Sequence, residues 1–214
     1  GAFRFYDQTD RGIWFQAWRP GFGVKCFVHY QFDTKTFKIY DYNFNLKDNP
    51  FQEDMFPFLF LKDRTGLLWL GSRPGLYKQA PKKRQMDLFR YHADDPNGLP
   101  SDDINYLFED NKKRLWIATG NGLALYQPDQ ENFRIFRNVL SNPGSLSNNM
   151  VTSVTENSDG KIWVGTANGL NQWQDSTGTF KRFFYTPGEI NRVEFVFPDK
   201  QQWLWTSIRD KGVF

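Results

Sequence analysis

Apolar and polar residues alternate by two along most of the chain, in short runs interrupted every few positions by turn residues, and that pattern predicts strands. After Asp103 the first run is Ile104-Asn105-Tyr106-Leu107-Phe108, and the polar hairpin Glu109-Asp110-Asn111-Lys112-Lys113 leads to the second, Leu115-Trp116-Ile117-Ala118. Asn121-Gly122 turns the chain into Leu123-Ala124-Leu125-Tyr126, and a turn over residues 128–131 leads to Phe133-Arg134-Ile135-Phe136. The next stretch repeats the order with Val151-Thr152-Ser153-Val154, Ile162-Trp163-Val164, Leu170-Asn171-Gln172-Trp173 and Phe180-Lys181-Arg182-Phe183. A helix would want apolar positions three and four apart, and that spacing is not evident. The chain reads as all-β.

The second run of every period holds a tryptophan. Trp14, Trp69, Trp116, Trp163 and Trp205 stand 55, 47, 47 and 42 residues apart, close to the period of propeller blades. Four short antiparallel strands cannot bury both faces of their own sheet, so such units must stack on one another, and radial closure is the usual solution. The expected fold is a β-propeller: a partial ring of four blades plus most of a fifth, four antiparallel strands per blade. The blades fall roughly at 1–46, 47–97, 98–144 and 145–189, with 190–214 incomplete, all in one array. The tryptophan is expected to fill the space between neighbouring blades. Gly212-Val213-Phe214 matches Gly122-Leu123-Ala124, so the chain stops as a third strand begins. It reads as a piece of a longer protein, with unpaired blade faces that imply self-association.

Composition fits this architecture: 22 Phe, 9 Tyr and 8 Trp beside low mean hydropathy suit strands buried on one face and wetted on the other. The formal charge is only +3, and the clusters Lys82-Lys83-Arg84 and Lys112-Lys113-Arg114 read as solvated turns, so nucleic acid is not an expected partner. No apolar run approaches the ~20 residues that span a bilayer. One cysteine, Cys26, and two histidines, His29 and His92, offer no zinc spacing, so neither a metal nor a cofactor is expected. Asp63, Asp110 and Asp199 recur at one place in the period, with Asn157 in the fourth, and recurrence indicates turn chemistry before it indicates a catalytic site.

The run Asn157-Ser158-Asp159-Gly160-Lys161-Ile162-Trp163-Val164-Gly165-Thr166-Ala167-Asn168-Gly169-Leu170 resembles the signature of two-component-regulator propeller repeats, as does Asp63-Arg64-Thr65-Gly66-Leu67-Leu68-Trp69-Leu70-Gly71-Ser72. Asn142-Pro143-Gly144-Ser145-Leu146 and Asp95-Pro96-Asn97-Gly98-Leu99 resemble the connectors between blades in that family. The resemblance implies a non-catalytic, periplasmic sensor region of a bacterial signalling protein, joined in the same polypeptide to downstream signalling domains such as a histidine kinase or a diguanylate cyclase. It also implies a small-molecule or oligosaccharide ligand. A protein-binding scaffold and a propeller lyase or hydrolase are the alternatives, and the scarcity of histidine weighs against the latter.

A unique site is to be sought where the repeat breaks. The first period keeps nine residues between Trp14 and Gly23, where the regular interval is six, which predicts an extended loop over Trp18-Arg19-Pro20-Gly21-Phe22. The fifth period, aligned on Trp205 because Asp199 lies six before it, has a loop one residue longer than regular. Trp18, Arg19, Arg73, Arg209 and Asp210 are the candidate ligand-binding residues: an aromatic beside cations could stack on a sugar ring and pair with a carboxylate or sulfate.

Overall fold

The structure, a computed structural model, describes residues 4–9, 12–19, 24–40, 57–72, 75–80, 87–199, 201 and 203–214. Side chains are described for residues 30–36, 59, 61–72, 75–80, 87–199, 201 and 203–214. No helix occurs among the described residues. Among the described residues, five antiparallel sheets follow one another along the chain. The first is β1 (Arg4–Thr9), β2 (Gly12–Arg19), β3 (Val24–Gln31) and β4 (Thr36–Tyr40), and the second is β5 (Pro57–Lys62), β6 (Leu68–Ser72), β7 (Gly75–Gln79) and β8 (Asp87–Phe89). The third comprises β9 (Ile104–Glu109), β10 (Leu115–Thr119), β11 (Gly122–Gln127) and β12 (Asn132–Phe136). The fourth comprises β13 (Val151–Glu156), β14 (Ile162–Thr166), β15 (Gly169–Gln174) and β16 (Thr179–Phe183), and the fifth β17 (Val193–Pro198), β18 (Leu204–Ile208) and β19 (Gly212–Val213). The first strands β1, β5, β9, β13 and β17 pack each against the next. The chain is a β-propeller array.

The core lies in the seams between sheets. One buried cluster joins Leu59, Trp69 and Leu76 of the second sheet to Ile104, Ile117, Ala124 and Tyr126 of the third, with Leu99 of the connector driven in beside them. Its counterpart joins Trp116, Ala118 and Leu123 to Val151, Val164, Trp173 and Phe180, with Leu146 in the role of Leu99. Trp69 and Trp116 are fully buried. Each meets an aromatic of the following sheet edge-on: Trp69 has Tyr126 at 4.7 Å between ring centroids, and Trp116 has Trp173 at 5.9 Å. At these two seams the repeating tryptophan fills the gap between blades, as expected, whereas Trp205 of the fifth sheet is exposed.

In the second, third and fifth sheets the hairpin before the tryptophan is held by one aspartate. In the third sheet Asp110 Oδ1 accepts from the backbone N–H groups of Lys112 and Arg114, both at 2.9 Å, and its Oδ2 accepts from the Trp116 indole at 2.9 Å. Asp63 does the same for Thr65, Leu67 and Trp69, and Asp199 for Gln201, Trp203 and Trp205. Alignment of the fifth period on Trp205 is thereby borne out. The hydrogen bonds to Asp199, led by that from Trp205, hold its carboxyl below the ordinary value. Asn157 spans the fourth hairpin with Oδ1, which accepts from Lys161 N at 2.9 Å, but its amide has no second acceptor and the buried Trp163 Nε1 is left without a partner.

Polar bonds cross the seams as well. Between the second and third sheets the Arg64 backbone N–H donates to Glu109 and its guanidinium to the carbonyls of Asp110 and Asn111. Beside them the nearly buried Lys78 ammonium donates to Glu131 at 2.5 Å and Tyr126 at 3.0 Å. Burial lowers the pKa of Lys78, yet these two bonds outweigh it and hold the pKa above the ordinary lysine value. Between the third and fourth sheets Asn111 N donates to Glu156, and Lys112 and Arg114 both donate to Asp175. Burial raises the pKa of Asp175, but bonds from Arg114, Lys112 and Trp173 prevail and hold its carboxyl well below the usual range.

The first period departs from expectation in part. Trp18 and Arg19 lie in the ladder and pair with Lys25 and Val24, so that β2 and β3 run to eight residues each, against five in β10 and β14 and six in β11 and β15; the rest of the expected loop, Pro20, Gly21 and Phe22, lies outside the described residues. Each added pair satisfies its backbone groups by extending both strands together.

Candidate functional site

The start of each first strand and the end of each second strand lie side by side on one face of the array. The residue before the first strand accepts a backbone bond from the residue after the second: Gly120 N donates to Asp103 O at 2.8 Å, Ala167 N to Met150 O at 2.8 Å and Arg209 N to Arg192 O at 2.9 Å. The second residue of each of these first strands is a bulge, where the ladder slips by one: Asn105, Thr152 and Glu194. A bulge re-aims one side chain out of the ladder, which gives each of these three sheets three neighbouring positions at this face.

In the third and fourth sheets the bulge residue is a latch. Asn105 Nδ2 donates to Val151 O at 2.8 Å, and Thr152 Oγ1 to Val193 O at 2.7 Å, each reaching the first strand of the following sheet. In the fifth sheet all three positions change together, to Arg192, Glu194 and Arg209. Glu194 Oε1 accepts from Arg192 Nε at 3.0 Å and from Arg209 Nε at 2.5 Å. Arg192 also approaches the Met150 sulfur at 3.6 Å. The three side chains remain between 30% and 53% exposed, so the cluster is open to solvent.

Residues 98–121 and 145–168 match the family model described as two component regulator propeller. The chain carries two component regulator propeller repeats. Each matched regulator segment begins at a connector and ends just past the second strand, so each contains the aspartate or asparagine hairpin and its tryptophan. No curated protein sequence matches the chain. By shape it resembles the extracellular domain assigned to a hybrid two component system of B. thetaiotaomicron, with a TM-score of 0.68 and 19% identity over 99% of this chain and 26% of that one. The extracellular domain assigned to a one component system of the same organism gives 0.68 and 18% over 98% and 26%. Virginiamycin B lyase from Staphylococcus aureus gives 0.60 and 15% over 94% of this chain and 62% of that one. The chain spans about a quarter of the length of the first two proteins, and at these identities the likeness is one of fold.

Of the residues singled out by sequence, Arg209 lies in the charged cluster. Asp210 is exposed in the same turn with a left-handed backbone, φ +61°. Trp18 and Arg19 end β2, and their side chains lie outside the described residues, as does Arg73 altogether. Arg192 and Glu194 escaped the sequence reading. A signal for them exists: Arg192 stands 13 residues before Trp205, as Asp103 and Met150 stand 13 before Trp116 and Trp163, and Glu194 stands 11 before, as do Asn105 and Thr152.

Beside the cluster, Lys211 Nζ donates to Glu189 at 2.6 Å and Thr186 at 3.1 Å and lies 5.5 Å from the centre of the Tyr185 ring. Tyr185 in turn packs on Phe214 with centroids 4.2 Å apart. These two aromatics, with Phe184 and Val193, line a cleft of about 200 Å³ between the fourth and fifth sheets. Among the described residues no group of three or more His, Cys, Asp or Glu gathers as a metal ion would need. His92 is an exposed connector residue, and His29 lies in β3 opposite Trp14.

Proposed function

We propose that the chain is the ligand-sensing part of an extracytoplasmic signal-transduction protein, non-catalytic in itself, which binds a small molecule or saccharide on the face carrying Arg209 and Asp210 and passes the change to signalling domains in the same polypeptide. The observation that carries this reading is the match of two blades to the two component regulator propeller. The solved extracellular domains of similar fold support it, and so does the gathering of Arg192, Glu194 and Arg209 on one face of the fifth sheet. Trp18, Arg19 and Arg73 belong to the same proposed surface, Arg73 at the position in the second period that Arg209 holds in the fifth. Exposed Phe195, Phe197 and Trp205 on the fifth sheet offer a surface for self-association.

The test is calorimetric titration of the full-length protein with a panel of oligosaccharides, comparing wild type with Arg19→Ala and Arg209→Ala. Binding of one panel member, weakened by at least one substitution, supports the reading. Binding unchanged in both variants would sink the site assignment, and no binding by any member would sink the saccharide reading.

A further inference from the structure

The three charged positions of the fifth sheet have a chemistry that the repeat itself does not require. In the third sheet they are Asp103, Asn105 and Gly120, and in the fourth Met150, Thr152 and Ala167. Both of those bulge residues donate a hydrogen bond that ties one sheet to the next. A glutamate carboxylate has no proton to donate, so Glu194 cannot make that latch. It serves the two arginines instead, accepting one Nε–H from each at a single oxygen.

This arrangement orients both guanidiniums while leaving most of their donors free. An arginine has five N–H groups in a rigid fork, and a contact through Nε uses only one of them. Among the described residues, the terminal nitrogens of Arg209 make no hydrogen bond, and those of Arg192 make only the long one to the Met150 sulfur. Two positive groups against one negative leave the cluster with a net charge of +1, at the open end of a bulge and at partial exposure. Planar, partly exposed donors with surplus positive charge match the oxygens of a carboxylate or sulfate, which two arginines can grip at several points.

We propose that Arg192, Glu194 and Arg209 form an oxoanion-binding site, with Glu194 as the positioning residue, and that the ligand of this face is an acidic molecule bearing a carboxylate or a sulfate ester. The inference rests on the sensing reading for the identity of the face, and on the cluster alone for the chemistry of the ligand.

The experiment follows the arginine Nε–Hε resonances of the full-length protein by NMR at fixed ionic strength, adding methyl glucuronide, glucose 6-sulfate or neutral methyl glucoside. Saturable shifts of the Arg192 and Arg209 signals are expected with one or both acidic probes and none with the neutral one, and the stronger acidic probe identifies the group. Arg209→Ala and Arg192→Ala should each weaken that binding about ten-fold or more. Glu194→Gln keeps an acceptor oxygen for both guanidiniums while removing the competing charge, and should tighten binding about five-fold. A merely structural cluster would give no acidic binding to tighten.

Lack of saturation with both acidic probes overturns the inference, as does acidic binding that ignores both arginine substitutions. A neutral oligosaccharide that binds the full-length protein equally well in wild type and Arg209→Ala overturns it too, while sensing by the propeller stands. Acidic probes that saturate the cluster in a protein bound by no oligosaccharide would support the oxoanion site and overturn the saccharide reading.

Discussion

The hairpins of the third and fourth sheets share a backbone and differ in one atom. Asp110 and Asn157 each use Oδ1 to close the turn on the N–H four residues ahead, at 2.9 Å in both. Only the aspartate has a second acceptor, and only its tryptophan has a partner for the indole N–H. The difference separates two jobs that a single residue type conceals in sequence. Turn closure needs one oxygen, so asparagine suffices; anchoring the interblade tryptophan needs two, so it does not.

Four substitutions press on that comparison. The largest effect is expected from Trp116→Ala, which empties the seam between the third and fourth sheets and should cost ~3–5 kcal/mol in urea unfolding; a cost near that of a surface substitution would mean that the tryptophan does not hold the blades. Asp110→Asn comes next. It strips both the Trp116 indole and the Arg114 Nε of the oxygen they share, for a loss of ~1–3 kcal/mol by the same measurement. The reverse change, Asn157→Asp, supplies Trp163 with the missing oxygen and is expected to raise stability by ~0.5–1.5 kcal/mol, visible as a higher melting temperature. A lowered melting temperature would show that the indole is better left alone.

The smallest effect depends on pH. Asp175 binds Arg114 and Lys112 across the seam, and its folded pKa lies below its unfolded value of ~3.9. Its contribution is therefore present above pH ~4 and lost as the pH falls toward the depressed folded value. Asp175→Asn should flatten the acid side of the stability profile and leave its slope near neutral pH unchanged. An unaltered acid limb would assign that limb to other carboxylates.

Much of this was legible in the sequence because the fold repeats. Alternation by two gave the strands, and Asn121-Gly122 and Asn168-Gly169 gave the turns, where Gly122 and Gly169 take φ of +135° and +107°. The six-residue interval from aspartate to tryptophan correctly chose Trp205 over Trp203. In the long first period spacing cannot distinguish extra loop residues from a longer ladder, and only the pairing of Trp18 with Lys25 and Arg19 with Val24 assigns those two to the ladder. Arg192 and Glu194 were missed for a related reason. Their meeting with Arg209 depends on a bulge and a backbone bond from Arg209 to Arg192, neither of which leaves a mark on hydrophobic alternation.

From the second sheet to the third and from the third to the fourth, the cross-seam bonds of Arg64, Lys78, Asn105, Asn111, Lys112 and Arg114 all give protons forward, whereas at the fourth-fifth seam Thr152 gives forward and Asn191 and Arg192 give back to Asn168 and Met150. The leading and trailing flanks of a blade are thus different surfaces. Such an interface is heterologous, like the head and tail of a link. Copies joined through these flanks would add in one sense only, closing into a ring or running on as a filament, and a two-fold dimer would have to use another surface.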